Sequence, residues 1–138
     1  MPIGYLRKVH HIALNVRDMQ ASRYFYRHIL CLHEFTGEEV PATLVELVNA
    51  GKIANFVTAD GTILDLFGEP ELLPPDPDLS KSFTIAYHLV FDIEAELFDV
   101  IRENNLVIAH GPVTLSTGRD VYFYDPDGFI IDIPCDPH

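Results

Sequence analysis

Asp127-Gly128-Phe129-Ile130-Ile131-Asp132-Ile133, close to the C-terminus, nearly copies a stretch from the first half of the chain, Asp60-Gly61-Thr62-Ile63-Leu64-Asp65-Leu66. Both copies read as strands, and both place an aspartate four positions after the glycine. A half-buried strand normally carries an aliphatic or an outward polar residue there, so each copy demands a reason for its acid.

Working outward, each copy is preceded by a matching strand that begins with histidine. His11-Ile12-Ala13-Leu14-Asn15-Val16 lines up with His88-Leu89-Val90-Phe91-Asp92-Ile93 at an offset of 77 residues, and Asp65 lines up with Asp132 at an offset of 67. An extra segment in the first half, Glu38 to Lys52, accounts for the difference of about ten residues. Two matches in the same order argue for an internal duplication.

Alternation assigns the faces. Over Val9 to Val16, Ile12, Leu14 and Val16 take one face and His11, Ala13 and Asn15 the other. Over Phe83 to Ile93, Leu89, Phe91 and Ile93 are apolar, opposite His88, Val90 and Asp92. Asp18 is placed to cap a helix reaching about Ile29, with Ala21, Phe25 and Ile29 as its apolar stripe. A second helix is expected from about Glu94 to Asn104, carrying Leu97, Phe98 and Ile101.

Further strands are expected at His33 to Gly37, Ile53 to Thr58 and Thr62 to Gly68, the last two joined by the turn Ala59-Asp60-Gly61. In the second half they fall at Val107 to His110 or slightly beyond, Asp120 to Tyr124 and Phe129 to Ile133, with Asp125-Pro126-Asp127-Gly128 as the final turn. Within Glu38 to Lys52, residues Ala42 to Ala50 read either as a short helix or as a lid. Glu69 to Asp78 holds four of the ten prolines and reads as a linker between the halves.

The expected architecture is therefore α+β. It is a single domain over 1–138, built as two tandem βαβββ modules, about 8–69 and 83–135, with a Pro-rich linker over 70–82. The modules are expected to form a cupped mixed sheet with the helices on its outer face.

A chain of 138 residues, 48% hydrophobic, suits one domain with a real core. Its formal charge of −12, with only nine Lys and Arg, repels phosphate backbones and anionic membrane surfaces, so neither nucleic acid nor membrane is an expected partner. No apolar run reaches the roughly 18 residues of a membrane span, and the N-terminus lacks the apolar core of a secretory signal, so a cytoplasmic location is expected. Cys31 and Cys135 lie far apart with no CxxC spacing and read as buried structural thiols.

If the helices cover the apolar faces, His11, Asp65, His88 and Asp132 all project from the uncovered one. Two imidazoles with one or two carboxylates suit a divalent metal such as Fe, Mn, Ni, Co or Zn, with positions left open for substrate oxygens. Tyr122 and Tyr124 share one strand face, and His110 lies on a neighbouring strand or at its end; a Tyr or His there is placed for proton transfer or for a substrate oxygen. Arg119 is a candidate for an anionic group.

The bland readings stand beside these. A lone histidine on a strand is more often structural than a ligand, and it is the doubling that favours His11, His88 and Asp132 together. Asp65 alone would be an acid on an exposed sheet face, and the tyrosines would be packing residues. His10 points by alternation to the apolar side, as a packing or strand-edge residue. His28 reads as a helix-surface residue, while His33, His110 and His138 show no evident partner.

The two His-initiated strands, the segment Asp18 to Tyr26 ending in Phe25-Tyr26, and Tyr124-Asp125-Pro126-Asp127-Gly128-Phe129-Ile130-Ile131-Asp132 resemble the vicinal oxygen chelate superfamily, the glyoxalase, bleomycin-resistance and extradiol-dioxygenase group. The resemblance covers nearly the whole chain. It implies paired βαβββ modules around a metal, with ligands at His11, His88 and Asp132 and sometimes also Asp65. The last ligand in that group is usually Glu, and this chain has the shorter Asp. A small-molecule substrate with adjacent oxygens, and either isomerisation or ring-cleaving oxygenation, are implied. Asp65 or Asp132 would serve as base in the isomerisation, and Tyr122 and His110 are the other catalytic candidates. Homodimers are usual in the group. The alternative, from its bleomycin-resistance branch, is a metal-free drug- or metabolite-binding protein.

Overall fold

Two four-stranded sheets with the same internal strand order carry the chain. The computed structural model describes residues 9–73, 77–78, 88–91, 103–104, 106, 108–115 and 118–134. It divides into two compact units, Met1–Glu71 and Leu72–His138, which fall on either side of a boundary inside the proline-rich segment.

In the first unit, β1 (His11–Val16) leads to helix α1 (Met19–Tyr24), then β2 (His33–Glu34), helix α2 (Val45–Asn49), β3 (Ile53–Val57) and β4 (Ile63–Gly68). The sheet order is β1-β4-β3-β2, with β1 parallel to β4 and the other neighbours antiparallel. The second unit contains β5 (His88–Val90), β6 (Ile108–Leu115), β7 (Gly118–Tyr124) and β8 (Ile130–Pro134). Its order, β5-β8-β7-β6, repeats the first, again with one parallel pair at the first strand. The duplication read from the sequence is thus present in the strand pairing. The expected helix over Glu94 to Asn104 lies outside the described residues apart from 103 and 104, as do residues 83–87 and 92–93 of the expected strand.

Asp18 starts α1 as expected: its backbone is extended, and its carboxylate accepts from the Ala21 N–H at 3.1 Å. After Tyr24 the helix widens into a π turn over Phe25–Ile29, closed by the Leu30 N–H on the Phe25 carbonyl at 3.0 Å. The added residue shifts the stripe. Ser22, Phe25, Tyr26 and Ile29 are buried, whereas the expected stripe of Ala21, Phe25 and Ile29 left Tyr26 out. The Tyr26 ring lies 6.2 Å from that of Phe56, which fixes the covered side of the sheet as the one bearing Phe56, Leu64, Leu66 and Val16. All four are almost fully buried, each contributing on the order of 2 kcal/mol relative to exposure.

Glu34, opposite Phe56, is the acid on that covered side. It accepts from Arg23 Nε at 2.7 Å and has Arg27 Nη1 at 3.6 Å, so two helix residues clamp α1 to the edge strand.

Several boundaries differ from expectation for local reasons. β2 ends at Glu34, because Thr36 instead caps a 3-10 turn, Gly37–Glu39, whose Glu39 reaches back to the Thr36 N–H at 3.1 Å. Of the two options for Ala42 to Ala50, helix is found: a 3-10 turn, Ala42–Leu44, runs into α2. β6 continues five residues past His110, pairing with β7 through register shifts between Ile108 and His110 and between His110 and Val113. Cys31 is exposed at φ 59 rather than buried, and Cys135 lies outside the described residues. The two Asp-Gly turns form as read: Asp60 Oδ1 accepts from the Thr62 N–H at 3.0 Å, and Asp125 Oδ1 from the N–H groups of Asp127 and Phe129 at 2.9 and 2.8 Å. Among the described residues no helix is long and apolar enough to cross a membrane.

Candidate metal centre

In the first unit His11 stands opposite Ile63, and Asp65 stands opposite both Ala13 and Asn55. Directly opposed residues share a face, so His11, Ala13, Asn55, Ile63 and Asp65 lie together on the side away from α1. His11 is exposed. Asp65, expected in its bland reading to be an acid on an exposed face, is instead only 9% exposed. Its Oδ1 accepts from Asn55 Nδ2 at 2.6 Å, and among the described residues no cation pairs with it. Buried carboxylates are normally paired with a cation or bound to a metal, so this one has an unmet requirement.

His10 precedes the strand and is exposed rather than packed on the apolar side, although its carbonyl accepts the Ile63 N–H at the strand edge. Its Nδ1 lies 3.0 Å from His11 Nδ1, with the rings edge to face, so one of those two nitrogens carries the shared proton.

The second unit repeats the arrangement. Position 88 stands opposite Ile130, and Asp132 stands opposite both Val90 and Tyr122. Tyr122 in turn faces position 110 across the β6–β7 pair, and Tyr124 faces Ile130. Positions 88, 110, 122, 124 and 132 therefore belong to one face of this sheet. The other face carries Val121, Phe123, Ile131 and Ile133, all at 1% exposure or less, which is why Asp132 is held away from that core. Asp132 is itself 3% exposed, and Tyr122 is half-buried. Arg119 stands opposite Thr114, two positions before Val121 on β7.

Each unit thus brings one histidine position and one aspartate onto a single face with the same spacing. One imidazole and one carboxylate per unit fit a borderline divalent metal, which takes nitrogen and oxygen donors alike. Among the described residues no cluster of three or more His, Cys, Asp or Glu stands close enough to hold a metal.

Two residues were not singled out from the sequence. Asn55 is 97% buried beside Asp65, and alternation along Ile53-Ala54-Asn55-Phe56-Val57 was a signal that placed it on the Asp65 side. His33, which had no evident partner, pairs through Nε2 with Glu39 Oε2 at 2.7 Å. That hydrogen bond from His33, with a second from the Thr36 N–H, holds the Glu39 carboxyl below the usual carboxylate range.

The model of the Glyoxalase/Bleomycin resistance protein/Dioxygenase superfamily matches residues 8–133. The chain belongs to this superfamily. Within it, a crystal structure described as a glyoxalase/dioxygenase from Nostoc punctiforme is 70% identical, superposes with a TM-score of 0.87, and is matched over 100% of this chain and 97% of its own. The metallothiol transferase FosB of Staphylococcus epidermidis is 29% identical over 133 residues, 93% of this chain and 81% of the relative. The fosfomycin resistance protein FosX of Listeria monocytogenes shares the superfamily fold at 18% identity and a TM-score of 0.64, over 95% of this chain and 92% of its own.

Proposed function

We propose that this superfamily member is a divalent-metal enzyme whose ligands are His11, Asp65, His88 and Asp132, acting on a small molecule that offers two adjacent oxygens to the metal. The observation that carries the reading is Asp65: a buried carboxylate with a neutral amide as its hydrogen-bond partner, on the face that bears His11. The second unit supports it by repeating the same pair in the same register. A metal held by two imidazoles and carboxylates would supply Lewis-acid stabilisation of negative charge developing on substrate oxygens.

The chain's own groups divide the remaining work. Asp65 and Asp132 are the candidate bases, and Tyr122, half-buried and opposite Asp132, is placed to give or take a proton on a substrate oxygen. Position 110, which is a histidine, stands opposite Tyr122 in the strand register. With nine Lys and Arg in the chain, a compact substrate suits it better than a polyanionic thiol conjugate, whose carboxylates want cationic partners. The name of the FosB relatives, metallothiol transferase, adds thiol transfer as a third candidate reaction class beside isomerisation and oxygenation. The expected assembly is a homodimer in the cytoplasm, and an elution volume tests the stoichiometry.

Elemental analysis of protein purified without added metal tests the reading. A near-stoichiometric transition metal is the expected result. Its absence, unchanged after addition of Fe, Mn, Ni or Zn, would overturn the proposal and favour a metal-free binding protein.

A further inference from the structure

Asn55 sits directly opposite Asp65 in the β3–β4 pair and is 97% buried. Its Nδ2 donates to Asp65 Oδ1 at 2.6 Å, while its own Oδ1 is buried with no hydrogen-bond partner among the described residues. The direction of the amide follows from chemistry. An ionised carboxylate only accepts, so the NH₂ end must face Asp65 and the carbonyl must face away. Buried acceptors are almost always satisfied, so an amide that leaves its carbonyl unpaired in order to hold a carboxylate marks a place where that carboxylate's orientation matters.

We propose that Asn55 is a positioning residue of the metal centre: it occupies Oδ1 of Asp65, locks the carboxylate rotamer, and leaves Oδ2 as the oxygen that meets the metal. The inference rests on the proposed metal-binding function. Hydrogen bonds of this kind to a ligating carboxylate fix its approach and raise metal affinity, and a buried cross-strand amide is rigid enough to do so. A merely structural Asn–Asp pair would bury the carboxylate's charge beside a neutral group and gain nothing from a cation.

The test uses Co²⁺ as probe on the full chain, read by chelator competition and by the visible spectrum, with circular dichroism checking the fold. Asn55→Leu is expected to weaken Co²⁺ binding roughly 10- to 100-fold and to alter the spectrum. In an Asp65→Ala background the same substitution should cost nothing further, because Asn55 acts through Asp65. Wild-type affinity and spectrum in folded Asn55→Leu, or fully additive losses in the double variant, would overturn the inference while leaving the metal centre standing. Should Asn55→Leu fail to fold, Asn55→Ser takes its place with the same expected loss and the same double-variant comparison. A wild-type chain that binds no Co²⁺ overturns both this inference and the proposed function.

Discussion

His11 and Asp65 share one face of the first sheet because His11 pairs with Ile63, two residues before the acid on the same strand; the pairing of position 88 with Ile130, two before Asp132, has the same spacing. If these four are ligands, His11→Ala and His88→Ala should each lower metal affinity by about a hundredfold or more, on the order of 3 kcal/mol per ligand. His10→Ala, which removes the exposed neighbour, should leave metal content near that of the wild type. Equal loss in His88→Ala and His10→Ala, or loss in neither, would show the face assignment to be wrong.

Asp65 should behave oppositely with and without metal. Asp65 is a buried charge beside a neutral amide, so in chelator-treated protein Asp65→Asn relieves a desolvation penalty and is expected to raise stability by about 1 kcal/mol. The same variant should retain far less metal. Thermal melts with and without a chelator check both arms, and a drop in stability of the apo-protein would mean that the charge is already compensated.

On the covered side, Glu34 depends on α1. Arg23→Ala leaves its carboxylate, 7% exposed, with Arg27 at 3.6 Å as its one remaining cation among the described residues, and should cost about 1–3 kcal/mol in urea unfolding. Removing Arg27 as well should cost more than the two single effects added, because each arginine can partly stand in for the other. Strict additivity would mean that the two arginines act on Glu34 independently.

What the sequence made legible was local and periodic. The alternation of His11 against Ile12, Leu14 and Val16 and the two Asp-Gly turns are consequences of strand geometry and turn chemistry that neighbouring residues determine. The π turn after Tyr24, which brings Tyr26 into the core, follows from packing against Phe56 and leaves no mark in the spacing. β6 reaches Leu115, past the end expected at His110 or slightly beyond, and Gly111 and Pro112 are accommodated where the register shifts. Asp65 was legible as an outward acid but not as a buried one, since its burial and its amide partner come from a strand ten residues away in the chain. His33 and Glu39 failed to stand out because their link depends on the turn at Thr36 that ends β2.

That turn yields a pH prediction. Glu39 is held below its ordinary carboxylate value first by the hydrogen bond with His33 and then by the Thr36 N–H. A depressed folded-state value means that the contribution to stability is fully present above the unfolded value and is lost as pH falls through the folded one. Wild type should therefore melt higher than Glu39→Gln near pH 6, and the gap should close progressively below pH ~4.5 as the carboxylate protonates. The gap should be small, because both groups are solvent-exposed, and it should shrink with added salt. Melting curves of the two proteins across that range decide it: a difference that stays constant down to low pH would place the effect in packing rather than in the charge of Glu39.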